Sequence, residues 1–162
     1  ASTATLVWIG LEAMASRKPT LVGAATGTIA GLATVTPAAG LLGPGGAILM
    51  GLAGGLVCYY MVHLIRVKLK VDDSLDVFAV HGVGGITGIL LLPFLSAAAL
   101  GGTGQGDFMV QLIGTGAVIA WSAIASVIIL AALKVTLGLR VTQEEEYVGL
   151  DTSLHGENAY NG

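Results

Sequence analysis

Charged residues are scarce in this chain, and that scarcity excludes an ordinary water-soluble domain. Asp, Glu, Lys and Arg make up 10% of the 162 residues, whereas a soluble domain contains roughly 25%. Hydrophobic residues make up 54% of the chain, and the mean hydropathy is +0.85. This composition predicts a chain that lies in a lipid bilayer.

Basic residues and cysteines are also few. Seven Lys and Arg against ten Asp and Glu give a formal net charge of −3, so no basic surface for nucleic acid is predicted. Cys58 is the single cysteine, which excludes an internal disulfide and leaves the redox compartment undetermined. His63 and His81 fall in different apolar segments, unlike the paired ligands of a redox subunit. We therefore expect no catalytic residues, no metal site and no cofactor, and the chain is predicted not to be an enzyme.

Apolar segments separated by short links predict an all-α membrane protein, a polytopic transmembrane helix bundle. A spanning helix needs about 20 apolar residues, and the first segment is too short. We interpret it as the end of a span, and the chain as the C-terminal part of a larger protein. The predicted spans are 1–16 (partial), 20–35, 46–66, 74–96 and 108–137. Residues 1–140 form the membrane region, and the polar, acidic residues 141–162 form a tail.

The positions of the basic residues predict the orientation of these spans. All seven fit on one side of the membrane: Arg17, Lys18, Arg66, Lys68, Lys70, Lys134 and Arg140. The intervening loops, 36–45 and 97–107, have none. Because basic residues favour the cytoplasmic side, we expect that side and the tail to be cytoplasmic.

Glycine spacing predicts close packing between helices. Gly23, Gly27 and Gly31 recur every fourth residue, so they lie on one face of a helix. Without side chains, such a face lets a neighbouring helix approach closely. Simple packing is the first interpretation of this pattern.

Residues 72–88, which read DDSLDVFAVHGVGGITG, place a histidine within an apolar run. A histidine inside a membrane span is costly, and it is a candidate functional residue by default. The nearby glycines leave room for another helix or a small substrate; they are Gly82, Gly84, Gly85 and Gly88. On the residues alone, His81 is either such a functional group or a core histidine bonded to a backbone carbonyl.

The carboxylates before this histidine are suited to the start of a helix. Asp72, Asp73 or Ser74 can cap it, and Asp76 favours the positive end of the helix dipole. Pro93 is expected to kink or end the same helix.

The segment DDSLDVFAVHGVGG resembles the ammonium transporter (Amt/Rhesus) family. Agreement continues in order through SRKPTLVGAATGTIAGLATVTPAAG, GLRV and GLDTSLHGENAY, at 16–40, 138–141 and 149–160. The resemblance implies a fold of eleven helices with two inverted repeats, assembled as a homotrimer with a pore in each subunit. This chain would supply the end of helix seven, helices eight to eleven and the tail. The implied substrate is ammonium or ammonia, and the implied location is the plasma membrane.

The resemblance also assigns roles to three residues of this segment. His81 matches the second of two pore histidines, and Val77 matches a pore-facing position one turn earlier. Asp76 matches an acidic residue at the helix start, where we expect a structural role. An apolar pore disfavours a charged imidazole, and a neutral one both donates and accepts a hydrogen bond. Such a group can pass a proton or hold ammonia without trapping a cation.

The tail resembles the regulatory C-terminus of the family, which in many bacterial members lies near the docking site of a PII signal protein. The residues implied are Gly149, Leu150, Asp151, Ser153, His155, Gly156 and Glu157, and Ser153 is close to a position that is phosphorylated in plant members. A disordered, solubilising tail is the alternative. An ammonium sensor with the same fold is the alternative function, and it would need a cytoplasmic domain after residue 140.

Overall fold

The structure, a computed structural model, describes residues 1–16 and 18–157. Arg17 and the last residues of the predicted tail, 158–162, lie outside the described residues. The described part contains helices and no strand, which confirms the all-α prediction. The main helices are α1 (Ser2–Ser16), α2 (Leu21–Val35), α3 (Pro44–His63), α4 (Val83–Leu95), α5 (Phe108–Thr136) and α6 (Gln143–Val148).

Four helical segments are long and apolar enough to cross a membrane: Leu21–Ala38, Pro44–Lys68, Phe78–Leu95 and Phe108–Thr136. Short helical turns extend three of the main helices to these lengths. A 3₁₀ turn, Thr36–Ala38, follows α2, and π-helical turns lie at Leu64–Lys68 and Phe78–Gly82. The polytopic bundle predicted from the sequence is therefore present.

Glycines bring α1 into close contact with its two neighbours. A Cβ added at Gly27 of α2 would lie 2.6 Å from the Cβ of Trp8, and one at Gly31 would lie 2.8 Å from the Cβ of Ala4. On α3, a Cβ at Gly55 would lie 3.0 Å from the Cβ of Val7. The predicted glycine face of α2 thus packs against α1, where a methyl group would separate the backbones.

Thr34 of α2 lies at the junction of α2, α3 and α4. Its side chain is fully buried, and its hydroxyl donates a 2.7 Å hydrogen bond to the Ala30 carbonyl. Glycines of the other two helices close around it. A Cβ at Gly54 would lie 2.8 Å from the Thr34 Cβ, one at Gly84 would lie 3.1 Å from its hydroxyl, and one at Gly88 would overlap its carbonyl oxygen. This junction fixes the helix that carries His81 against the bundle.

The helix that carries His81 begins later than residue 74. Residues 74 and 75 form a turn, and helical structure begins at Val77, directly before the π-helical turn Phe78–Gly82. Asp76 has a φ of +55°, which a right-handed helix cannot contain. Pro93 lies inside α4, which ends two residues later at Leu95.

The chain divides into two compact units, residues 1–116 and 117–162. The helix α5 begins in the first unit, where the ring of Phe108 contacts that of Phe94 at a centroid distance of 5.6 Å. From residue 117 to residue 136, almost every side chain of α5 is exposed. A spanning helix with this surface faces lipid or further helices.

Candidate functional site

Asp73 starts the helical segment that contains His81. Its carboxylate accepts backbone N–H groups from three successive residues: Val77 at 2.8 Å, Phe78 at 2.9 Å and Ala79 at 3.4 Å. The first N–H groups of a helix have no partner within the helix, and an aspartate before the first turn is a preferred acceptor for them. Of the three residues expected to cap this helix, Asp73 does so.

His81 lies within a π-helical turn, Phe78–Gly82, that joins this start to α4. The turn shifts the hydrogen-bond pattern by one residue, so the Val83 N–H reaches the Phe78 carbonyl. The thiol of the buried Cys58 on α3 donates to the carbonyl of Val80 at 3.7 Å. Single π turns inside α-helices are frequent at functional sites, and His81 is the fourth residue of this one.

One face of the helix packs into the bundle, and His81 lies off that face. The buried positions recur every fourth residue: Val80, Gly84, Gly88 and Leu92. His81 is exposed, with no side-chain hydrogen bond among the described residues, so it is not a core histidine bonded to a carbonyl in this structure. Val77, one turn earlier, is 53% exposed. A Cβ added at Gly85, one turn later, would meet nothing within 4 Å. The surface around His81 is therefore apolar and open, and it includes the exposed ring of Phe78.

Asp76 lies beside the start of the same helix in an unusual environment. Its side chain is 14% exposed, and Oδ2 lies 3.4 Å from Nη1 of Arg66. Oδ1 is buried and has no hydrogen-bond partner. Burial raises the pKa of the Asp76 carboxyl above its ordinary value, the Arg66 guanidinium opposes this rise, and the Asp73 charge adds to it. The ion pair links this turn to the end of the preceding span.

The other histidine of the membrane region belongs to a different surface. His63 lines a cleft of about 620 Å³ together with Trp8, Glu12, Tyr59 and Arg66, and His81 is not among the lining residues. Among the described residues, no three His, Cys, Asp or Glu side chains lie close enough to hold a metal ion.

The tail forms its own local structure within the second unit. Thr142 caps α6 with a capping box: its hydroxyl accepts the Glu145 N–H at 3.3 Å, and the Glu145 carboxylate accepts the Thr142 N–H at 2.8 Å. The Thr142 backbone and hydroxyl lower the pKa of Glu145. Arg140 pairs with Glu146 at 2.9 Å.

The predicted regulatory residues follow α6 directly. Gly149 has a φ of +98° and Gly156 a φ of +66°, and a π-helical turn, Asp151–His155, lies between them. The Ser153 hydroxyl donates to the Gly149 carbonyl at 2.9 Å. The side chains from Leu150 to Glu157 are exposed. The segment is thus a defined shape with polar groups on its surface, as a docking element requires.

Two residues of the site were not predicted as such from the sequence. Arg66 was interpreted only as an interfacial charge, and Asp73 only as one of three possible caps. The sequence offers two signals for the cap: the spacing of Asp73 from Val77, and the apolar run that follows. The pairing of Arg66 with Asp76 has no signal in the sequence, because it depends on the fold of the connecting turn.

Comparisons with known proteins match this chain over nearly its whole length. Residues 1–160 match the model of the Ammonium Transporter Family. An ammonium transporter of Aquifex aeolicus is 43% identical over 166 residues, which cover 99% of this chain and 39% of that protein. The crystal structure of Candida albicans Mep2 superposes with a TM-score of 0.77 at 32% identity, covering 88% of this chain and 34% of that one. A sensor Amt protein superposes with a TM-score of 0.83 at 25% identity, covering 94% of this chain and 39% of that one. The chain spans about two fifths of the length of these relatives.

Proposed function

Because this chain belongs to the ammonium transporter family, we propose that it is part of a membrane transporter that carries ammonium or ammonia through a pore lined by His81 and Val77. The complete protein is a homotrimer in the plasma membrane. Asp76 holds the start of the pore helix and does not bind the substrate.

The position of His81 is the observation that carries this proposal. The histidine lies on a membrane-length helix, off the packed face, with an exposed side chain. Around it are an exposed valine and an open glycine, which leave space for a molecule as small as ammonia. An imidazole at such a place offers one donor and one acceptor within an apolar lining. These groups suit a neutral or deprotonated substrate better than a desolvated cation.

The proposal predicts ammonium transport by the complete protein. In proteoliposomes, an inward ammonium gradient is expected to give uptake or current well above that of empty liposomes, and an equal potassium gradient is expected to give none. The mass of the detergent-purified protein is expected to equal three subunits. Correctly folded trimers that moved no more ammonium than empty liposomes would contradict the proposal and favour the sensor.

The sensor is the second candidate because the structure of a sensor Amt protein superposes closely on this chain. The helices alone do not separate the two functions, since the same fold serves both. Transport in the assay above, or its absence, decides between them.

We propose further that the tail is cytoplasmic and regulates transport through a PII signal protein. The capped helix α6 and the exposed turn Asp151–His155 support this, because they present a defined polar surface. In membrane vesicles of the complete protein, added PII protein is expected to change ammonium uptake in inside-out vesicles only. Deletion of residues 143–162 is expected to remove that response. A response confined to right-side-out vesicles would reverse the orientation, and an unaltered response after deletion would exclude the tail.

A further inference from the structure

The direction of the His81 side chain depends on how the helix around it starts. Before the helix, Asp76 has a left-handed backbone, and its carbonyl is the first to accept a regular helical hydrogen bond, from the Val80 N–H at 2.8 Å. After the start, the π-helical turn Phe78–Gly82 changes the rotation of each residue about the axis. The side-chain direction at residue 81 is therefore set locally, over about one turn.

Asp73 is the residue that fixes this start. Its two carboxylate oxygens accept the N–H groups of Val77, Phe78 and Ala79. Phe78 and Ala79 belong to the π turn itself, and Val77 directly precedes it. On the far side, the Cys58 thiol binds the Val80 carbonyl. The π turn is thus held at its N–H groups by Asp73 and at a carbonyl by α3.

Hydrogen bonds from a carboxylate to backbone N–H groups are charge-assisted and stronger than neutral ones. Without the Asp73 carboxylate, the N–H groups of Val77, Phe78 and Ala79 lose the acceptor that fixes where the helix starts. The π turn is then free to relax to a regular α-helical pattern through residues 78–82, which would rotate the His81 side chain about the helix axis. Loss of Asp73 would therefore change the direction of His81 before it unfolds the helix.

We propose that Asp73 is a positioning residue for His81: its carboxylate holds the π-helical turn in the register that points the imidazole away from the packed face. This inference rests on the proposed function, because it concerns the performance of His81 in the pore. Asp73 acts through the backbone and touches no substrate.

The test compares Asp73→Ala and Asp73→Asn in the complete protein, with Asp72→Ala as the matched control. Asp72 is the neighbouring exposed carboxylate, and no hydrogen bond of its side chain is seen in the described residues. Each variant is reconstituted and assayed for KM, for the maximal ammonium uptake rate per folded trimer and for the ratio of ammonium to potassium uptake. The thermal midpoint in detergent reports stability separately.

We expect Asp73→Ala to lower the maximal rate per folded trimer by about tenfold, because the imidazole is displaced from its working position, with little change in KM. Asp73→Asn keeps one acceptor oxygen and is expected to lie between alanine and wild type. Asp72→Ala is expected to match wild type. Asp73→Ala could instead lower the thermal midpoint and leave the rate per trimer, the KM and the ion ratio at their wild-type values. That result would mean that Asp73 only stabilises the fold, and it would overturn the inference.

The His81→Ala variant in the same assay separates the two hypotheses. If its transport is impaired while that of Asp73→Ala is normal, the positioning role fails and the proposed function stands. If His81→Ala transports ammonium and rejects potassium as wild type does, the pore assignment itself fails.

Discussion

Replacing Gly88 with alanine is expected to destabilise the bundle by about 3 kcal/mol, at the upper end of the range for overpacked cores. A Cβ at this position would overlap the carbonyl oxygen of Thr34 and lie 2.9 Å from its carbonyl carbon and 3.1 Å from Cγ of Pro37. Two of these atoms belong to the backbone of α2, so no side-chain rotation can relieve the overlap. The two helices would have to separate at the buried junction around Thr34.

Gly85→Ala is the matched control for this prediction, because it lies on the same helix one turn before Gly88. Nothing lies within 4 Å of an added Cβ there, and alanine favours a helix over glycine by about 1 kcal/mol. Thermal unfolding of the purified complete protein in detergent measures both variants. Equal midpoints for Gly88→Ala and wild type would show that α2 and α4 do not pack in the manner described.

The glycines show how far the sequence alone predicts this fold. Spacing identified the glycine face of α2, and the structure packs it against α1. For the four glycines near His81, the sequence predicts room for another helix or a small substrate. Gly84 and Gly88 admit another helix, since they meet Thr34 of α2, and Gly85 remains open. Spacing identifies a close contact, but it does not identify the helix that makes it.

The start of the helix that carries His81 was less predictable, for a physical reason. Propensity and capping patterns placed it at residue 74, because Asp72, Asp73 and Ser74 all suit a cap. The left-handed residue, Asp76, pairs with Arg66, and the π turn is contacted by Cys58; both partners lie ten or more residues earlier in the chain. Such contacts carry no local signal in the chain.

The tail is the opposite case, because the start of its helix has a local signal in the sequence. Thr142 and Glu145 stand in the spacing of a capping box, which marks a helix start in sequence. The structure forms that box and the short helix α6 after it.

Substitution of His81 is expected to have the largest effect on transport. A free ammonium ion in an apolar pore lacks its hydration shell, at a large cost in free energy. His81→Ala removes the imidazole that the described residues place on this surface, and with it a hydrogen bond and a route for a proton. Loss of a hydrogen bond to a charged or proton-sharing group costs about 1.5–3 kcal/mol, so ammonium transport is expected to fall by about tenfold or more, or to lose its selectivity over potassium.

His81→Asp is expected to act in the opposite direction, because it places a carboxylate where the imidazole stood. A carboxylate attracts cations, and potassium or intact ammonium ions are then expected to pass as charged species. His63→Ala is the matched histidine control, since His63 lines a separate cleft and its removal is expected to leave transport unchanged. Currents in proteoliposomes under ammonium and then potassium gradients measure all three variants. If His81→Ala and His81→Asp both kept wild-type ammonium currents and wild-type rejection of potassium, His81 would be a packing residue at an interface with other helices, and the pore would lie elsewhere.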